Sequence, residues 1–558
     1  MVNKVLNILS REFSGLHQAA FLLGTFALLS QVLALVRDRI FAHSFGASAT
    51  LDVYYAAFRI PDLLFAGVAS LVSVTVLIPF LVKKIEGNRN DAKKFLSDIF
   101  TSFLSFIAII SVILFFAIPW LSSILFPGFS SAQQSSLVAL TRILLFSPII
   151  LGLSNLFGSV TQTFRKFFIY ALSPVFYNIG IIFGVLFLYP IFGILGLGYG
   201  VVLGALLHFL IQVPVLVKER LLPRFSLSVD MNVIKKVATT SLPRTVGLSA
   251  NHIALLVLVS LASGMVEGSI TIFNLSFNLQ SVPLSIIGVS YSVAAFPTLA
   301  RLFSGNKIDK FKKNILTAMR HIMFWSIPIL VLFIVLRAQI VRTILGSGQF
   351  GWSDTMLTAA ALALFAVSLV AQSLVLLFVR GYYAAGNTKK PLIVNVLSSV
   401  FIVIFAYWLV GLFEHFELFK YFIESLLRVG GLSGTVVLML PLAYSIGMSI
   451  NAGMLLYLFK KDFGKLPASI ELTFRHSFYG AVIMGFVSYQ FLQVFDDIFN
   501  LDTFLGIFSQ GFFSGLLGII AGILLLRILG NKEVKEITRA LHTKFWMARP
   551  VAPETEEL

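Results

Sequence analysis

Long apolar runs, one after another with short polar breaks between them, constrain this chain more than any other feature. A helix that crosses the hydrocarbon of a bilayer needs about 20 mostly apolar residues. Fourteen stretches meet that length: 17–40, 53–82, 98–120, 137–163, 168–189, 193–217, 238–263, 268–300, 315–337, 355–379, 391–412, 432–458, 474–494 and 503–529. The lipid core offers no water to open backbone groups, so spanning segments are helices or closed barrels. Runs this long and continuous do not fit the ten-residue alternating strands of a barrel. The expected fold class is an all-α polytopic membrane protein with about 14 transmembrane helices. The first run is long and has no small-residue cleavage site after it, so it reads as a span and not as a cleaved signal.

Charge distribution then sets the orientation. The chain carries 42 Lys and Arg against 25 Asp and Glu, a net charge of +17. In a soluble protein that excess would suggest nucleic acid. Here 33 of the 42 fall on one side when the spans are taken alternately, in clusters such as Lys83–Lys94 and Arg301–Arg320. The other side holds only Arg37, Arg39, Arg337, Arg342, Lys420 and Arg428. Basic residues favour cytoplasmic loops, so both termini are expected in the cytoplasm, and no nucleic-acid partner is needed. The absence of cysteine removes disulfides, thiolate metal sites and Cys nucleophiles.

The loops are short, which leaves no room for a large soluble domain. The stretch 411–431 reads as an amphipathic helix at the outer surface. The tail after Leu529 reads as a cytoplasmic interfacial helix ending in the polar Pro553–Leu558. A short internal likeness suggests a repeat. Pro174-Val-Phe-Tyr-Asn178 opens the fifth span and Pro391-Leu-Ile-Val-Asn395 the eleventh, six spans later and in the same orientation. The expected organisation is an N-lobe at 1–217, a C-lobe at 218–460, two further helices at 461–530 and a tail at 531–558.

Catalytic chemistry finds little support. Gly381-Tyr-Tyr-Ala-Ala-Gly386-Asn387-Thr388 misses a P-loop, because Asn387 stands where the phosphate lysine is required and no strand precedes it. Gly196, Gly198 and Gly200 lie inside an apolar span, where small residues serve close helix packing. The histidines are scattered, with no His-x-x-x-His pair. No enzyme, metal site or cofactor is expected.

Ionisable groups within spans are the informative exception, since each costs about 2.5–3.5 kcal/mol on insertion scales and persists mainly where it faces protein or water. The first two spans carry Gln31, Arg37, Asp38 and Arg39, then Asp52, Arg59 and Asp62. Asp52 and Arg59 share a helix face. Arg59 and Asp62, three apart, are placed to pair, and Pro61 between them should disturb the helix. Arg142, Arg244, Asn251, Asn274, Asn278 and Gln280 add polar groups from the fourth, seventh and eighth spans. A net cationic cavity lined by Arg37, Asp38, Asp52, Arg59, Asp62, Arg142, Arg244, Asn251, Asn278 and Gln280 would suit an anionic substrate, because guanidinium forks match phosphate. Blander roles stand beside this one. Asp52 can serve only to complement a helix start, Arg59 and Asp62 can form a structural pair, and Arg37 and Arg39 can snorkel.

Arg37-Asp38, Phe45-Gly46-Ala47, Asp52 and Ala57-Phe58-Arg59-Ile60-Pro61-Asp62-Leu63-Leu64 resemble the opening signature of the MurJ (MviN) lipid II flippases. That family belongs to the multidrug/oligosaccharidyl-lipid/polysaccharide exporter superfamily. Thr141-Arg142-Ile143, Pro174 with Asn178, Gly204 through Gln212 and Pro214, Pro283 with Gly288 and Pro297, and Arg380 through Thr388 and Pro391 agree in order, over nearly the whole chain. The resemblance implies movement of an undecaprenyl-pyrophosphate-linked peptidoglycan precursor to the outer leaflet by alternating access. It implies a substrate-binding role for Arg37, a functional role for Asp52, and a polyprenyl-tail groove at the last two spans, where Phe504, Phe508, Phe512 and Phe513 lie. Cell-wall synthesis proteins are the partners it suggests, and a cation gradient or the membrane potential the energy source. Three departures accompany it. Gln31, the run Phe65–Ser70 and Asn278 stand where the family carries arginines. Other readings are a flippase for another lipid-linked oligosaccharide, a small-molecule antiporter of the same superfamily, and a non-transporting relative.

Overall fold

The computed structural model of the chain describes residues 16–68 and 74–536. Among these, every regular element is a helix. Eleven helices or continuous helix pairs are long and apolar enough to cross a bilayer, and a twelfth results if the broken pair Trp352–Val367 and Leu369–Ala384 is one span. These twelve coincide with twelve of the fourteen expected stretches. The other two fall on the Leu16–Phe45 helix and on the shorter helices Ala49–Ala57, Arg59–Val68 and Val74–Gly87, which residues 69–73, outside the description, interrupt. The protein is thus an all-α polytopic membrane protein, and the described residues supply eleven or twelve spans, not a count of fourteen.

Local chemistry marks the helix starts. Asn88 begins Arg89–Leu125 by accepting from the Asn90 N–H at 2.9 Å. Ser130 and Gln133 form a reciprocal capping box at the start of Ser131–Leu144. Asp230 accepts from the N–H groups of Asn232 and Val233 to open Met231–Ser263. The second span breaks at Phe58, between Ala49–Ala57 and Arg59–Val68. Pro61 accounts for the break: its ring clashes with the carbonyl four residues back, that of Ala57, and it has no N–H to donate there.

The exterior, unlike that of a soluble protein, is apolar. Phe116 is 74% exposed and Trp120 65%, on a helix whose buried face includes Ser97, Asp98, Thr101 and Ser111. Apolar side chains on the outside need lipid as their solvent. Where two helices meet without a hydrophobic driving force, small residues let their backbones approach. Gly180 and Gly184 face Gly204 and Gly200 in this way. A Cβ on Gly180 would lie 2.2 Å from the Gly204 Cα, and one on Gly184 would lie 2.5 Å from the Gly200 Cα. Gly196 and Gly200 belong to this seam, while Gly198 packs on Leu140, so these glycines serve packing.

The chain divides into two compact units. One comprises the described residues of Met1–Val282, with Ile344–Phe365 and Gly386–Asn451. Its apolar core includes Leu77, Leu81, Phe95, Phe103, Leu156 and Val160. All ten candidate site positions belong to it. It also contains the Glu417–Leu427 helix, which buries Ile423 and Leu427, exposes Leu418, Tyr421, Phe422 and Leu426, and accepts a 2.7 Å hydrogen bond at Glu424 from the Thr435 hydroxyl. This is the amphipathic segment expected within 411–431. The other unit comprises Pro283–Thr343, Ala366–Ala385 and the described residues of Ala452–Leu558. Within it Ala468–Asp496 and Phe504–Ile528 pack closely: a Cβ on Gly518 would lie 2.6 Å from the Met484 carbonyl oxygen. Just beyond them Glu533, nearly fully buried, accepts from Arg320 Nε at 2.8 Å and from the Thr473 hydroxyl at 3.0 Å. The tail expected beyond residue 536 lies outside the described residues.

Candidate functional site

One stripe of the Ser269–Leu284 helix organises the site. Thr271, Asn274 and Asn278 stand three and four residues apart, so they share one face, and at 1.5 Å per residue the stripe is about 10 Å long. Each meets a charged group from the first two spans. The Asp52 carboxylate accepts from the Thr271 N–H at 2.8 Å and the Thr271 hydroxyl at 2.7 Å, and its second oxygen accepts from the Gly268 N–H at 2.7 Å. Arg59 donates through Nη2 to Asn274 Oδ1. Asn278 Nδ2 donates to Asp38 Oδ2 at 3.0 Å.

Asp38 and Arg37 extend this array to a further helix, Phe167–Phe183. Arg37 donates through Nε and Nη2 to Asp38 Oδ1 at 2.9 and 2.8 Å, and through Nη1 to Asn178 Oδ1 at 3.2 Å. Asn178 sits on Phe167–Phe183 and donates in turn to Ser30 Oγ and the Pro174 carbonyl. Arg37 retains 19% side-chain exposure while Asp38 has 3%, so the carboxylate is the buried hub and the guanidinium its more open face. Asn278 thus does a definite job where the family resemblance led to an arginine. A neutral amide bonds Asp38 without competing with Arg37 for it.

Arg59 differs from the local expectation. It forms no ion pair with Asp62 but reaches Asn274, and its Nε is buried with no hydrogen-bond partner. A half-buried cation hydrogen-bonded only to a neutral amide among the described residues keeps its charge available to an anion. Asp52 likewise does more than serve its own helix. It caps the start of Ser269–Leu284, where unpaired N–H groups and the helix dipole both favour a carboxylate.

At this end of the unit three loops interlock. The Ala47 N–H and the Gly351 N–H donate to Asp354 Oδ2 at 3.3 and 3.1 Å, the Ala49 N–H donates to Glu267 Oε1 at 2.9 Å, and the Gln349 N–H donates to the His43 carbonyl at 3.0 Å. Arg39 donates to the Ile344 carbonyl at 3.1 Å. Two glycines permit the approach. Gly46 has φ +62 with the Gln349 carbonyl oxygen 2.6 Å from where a Cβ would sit, and Gly268 has φ +89 with the Ala47 carbonyl oxygen at 2.6 Å. A side chain at either would be strained and would clash.

The remaining candidates spread out. Asn251 is half-buried on Met231–Ser263 and Gln280 is buried. Arg244 lies on Met231–Ser263, and its side chain is outside the described residues. Arg142 stands apart from the array: Nε donates to the Phe115 carbonyl at 3.1 Å and the guanidinium lies 4.5 Å from the Phe115 ring centroid. Asn178, Glu267, Thr271 and Asp354 were absent from the expected set. Asn178 had a signal in the Pro174–Asn178 motif. Asp354, three residues after Gly351 at a helix start, had one in capping chemistry. Thr271 and Glu267 had none in their local sequence.

An all-helical membrane fold whose charged groups converge on a polar stripe inside the spans defines a membrane transporter, and solved structures share its fold. One described as lipid II flippase MurJ in an inward closed conformation aligns with TM-score 0.72 at 24% identity, over 93% of this chain and 100% of that one. An inward-facing MATE family transporter of the MOP superfamily aligns with TM-score 0.63 at 17% identity, over 79% and 96%. The sequence profile described as "Lipid II flippase MurJ" matches residues 41–509, so the chain belongs to the lipid II flippase MurJ family. Relatives include the probable lipid II flippase MurJ of Buchnera aphidicola subsp. Acyrthosiphon pisum, 29% identical over 70% of this chain and 77% of that protein. The lipid II flippase MurJ of Burkholderia cenocepacia is 26% identical over the same shares.

Proposed function

We propose that this chain is a lipid II flippase: a transporter, not an enzyme, that carries the undecaprenyl-pyrophosphate-linked peptidoglycan precursor from the inner to the outer leaflet of the bacterial inner membrane. Family membership supports the activity, and the array on Thr271, Asn274 and Asn278 supports a physical account of it. Arg59 and one arm of Arg37 are bonded to neutral amides, Asn274 and Asn178. A pyrophosphate oxygen can take the place of an amide oxygen and gain a charge-assisted bond. Asp38 keeps Arg37 oriented throughout, because it holds the other two donors.

Alternating access then follows from the interlocked loops. The bonds at Asp52, Glu267 and Asp354 close one end of the site, and release of the head group requires that they break while the apolar tail stays in lipid. The moving bodies we infer are the lobes 1–217 and 218–460, with 461–530 beside the tail and both termini cytoplasmic. The membrane potential is a sufficient drive, since one elementary charge across 100 mV is worth about 2.3 kcal/mol; a cation gradient is the other source. Cell-wall synthesis proteins are the partners that this substrate suggests. Depletion of the protein in its host tests the reading: lipid II should accumulate in the inner leaflet and peptidoglycan growth should stop. An unchanged leaflet distribution would overturn it. A different lipid-linked glycan trapped inside would redirect the substrate to another oligosaccharide.

A further inference from the structure

Arg142 has no place in the array above, yet it lies within a span, where a guanidinium is costly. It lines a cavity of about 600 Å3 between the end of Arg89–Leu125 and the start of Ser131–Leu144, together with Pro119, Ser122, Ser131, Gln134 and Ser135. Ser131, Ser135 and Arg142 are four and seven residues apart, one stripe of the helix. Among the described residues that line it the cavity holds one charge, and it is positive: no carboxylate is among them. The Nε bond to the Phe115 carbonyl and the contact with the Phe115 ring fix the guanidinium plane, and its two terminal amino groups have no protein partner among the described residues. Ser122 spends its proton on the Pro119 carbonyl, so the free donors in the cavity are those of Arg142 and the exposed hydroxyls of Ser131 and Ser135.

The surroundings identify the occupant's other half. Phe116, Trp120 and Ile124, on the same helix as Phe115, are 74%, 65% and 55% exposed, so the cavity opens beside a lipid-facing surface with a tryptophan at its edge. Tryptophans mark head-group level. A ligand with an anionic head and an apolar body, reached from the bilayer, fits both parts. A guanidinium with two free amino groups matches the two oxygens of a phosphate diester, and the hydroxyls line the cavity from there toward the helix start.

We propose that this cavity is a phospholipid site, in which Arg142 holds the phosphate of a membrane lipid and Ser135 and then Ser131, about 10 and 16 Å nearer the helix start at 1.5 Å per residue, face the polar remainder of its head group. The end of the helix pair remote from Lys83–Lys94 carries it, which the charge distribution assigns to the outer leaflet. The proposal stands independently of the transported substrate. It commits to a bilayer phospholipid, although a lipid-linked pyrophosphate shares the chemistry.

The test uses the purified full chain in detergent, titrated with phosphatidylglycerol, with the phosphate-free diacylglycerol of the same chains, and with undecaprenyl pyrophosphate, each read by native mass spectrometry. Phosphatidylglycerol should bind, and Arg142→Gln should weaken it about tenfold or more, the worth of a hydrogen bond to a charged group. Arg142→Lys should recover part of the loss, and diacylglycerol should be indifferent to all three. The double variant Ser131→Ala with Ser135→Ala, confined to exposed positions, should weaken phosphatidylglycerol severalfold even if Arg142→Gln fails to fold. Equal binding of phosphatidylglycerol to the wild type and the serine variant would overturn the proposal, as would equal binding of diacylglycerol. Dependence on Arg142 for undecaprenyl pyrophosphate but not for phosphatidylglycerol would overturn the phospholipid assignment while leaving an anion site.

Discussion

Asp52→Asn isolates the cap on the Ser269–Leu284 helix. The native carboxylate accepts three hydrogen bonds through two oxygens, two from Thr271 and one from the Gly268 N–H, at 2.7–2.8 Å. Asparagine has one oxygen. If it faces Thr271, its NH2 faces the Gly268 N–H, donor against donor. One charge-assisted bond is lost, worth about 1.5–3 kcal/mol, and the other two lose their ionic character. At about 1.4 kcal/mol per factor of ten, the interlocked arrangement should open some ten- to hundredfold more often. The cysteine-free sequence supplies a clean background for the assay. Ser48, whose hydroxyl is buried without a partner beside the Ala49–Glu267 bond, is changed to cysteine and labelled with a membrane-impermeant maleimide. Labelling that requires opening should accelerate by the same ten- to hundredfold in the Asp52→Asn background, with helix content unchanged by circular dichroism. Equal labelling rates in the two backgrounds would refute the reasoning, because the cap would then not hold the loops together.

Other consequences follow from single contacts. Asn278→Asp places a second carboxylate against Asp38, where the amide now donates at 3.0 Å, and should cost about 1–3 kcal/mol by thermal unfolding; Asn278→Arg, which pairs with Asp38, should be tolerated. Gly200→Val intrudes where a Cβ already meets the Gly184 Cα at 2.5 Å, so it should cost about 1–3 kcal/mol or more and lower the melting temperature of the detergent-solubilised protein. Burial raises the Glu533 carboxyl, but hydrogen bonds from Arg320 and Thr473 outweigh it and leave it below its ordinary value of 4.5. A depressed carboxyl contributes stability that is present above that value and lost as pH falls through the folded one. Glu533→Gln should therefore lower the melting temperature near neutrality and remove part of its decline in acid.

Much of the fold was legible because lipid imposes a length and a polarity on every span. Eleven of the expected stretches recur as apolar helices, or twelve with the broken pair, and Pro61 announced the break at Phe58. The second-span motif also pointed to the residues that meet the array. Pairing was less legible. Spacing along one helix favoured Asp62 for Arg59, whereas the fold offers Asn274, 215 positions away. Arg142 looked like another cavity cation because span membership does not reveal which way a side chain faces. Asn278 read as a lost arginine until its contact with Asp38 gave it a role. Thr271 and Glu267 are ordinary in their own neighbourhoods, and only tertiary structure brings them to Asp52 and to the loop at Ala49.

The claim that matters most is that Arg37 and Arg59 hold the phosphates. Equilibrium binding of undecaprenyl pyrophosphate to the purified full chain measures it directly, in the wild type, Arg37→Ala and Arg59→Ala. Each substitution should weaken binding about tenfold or more, the worth of a charge-assisted bond. Affinities that match the wild type in both variants, with the fold intact, would contradict the account.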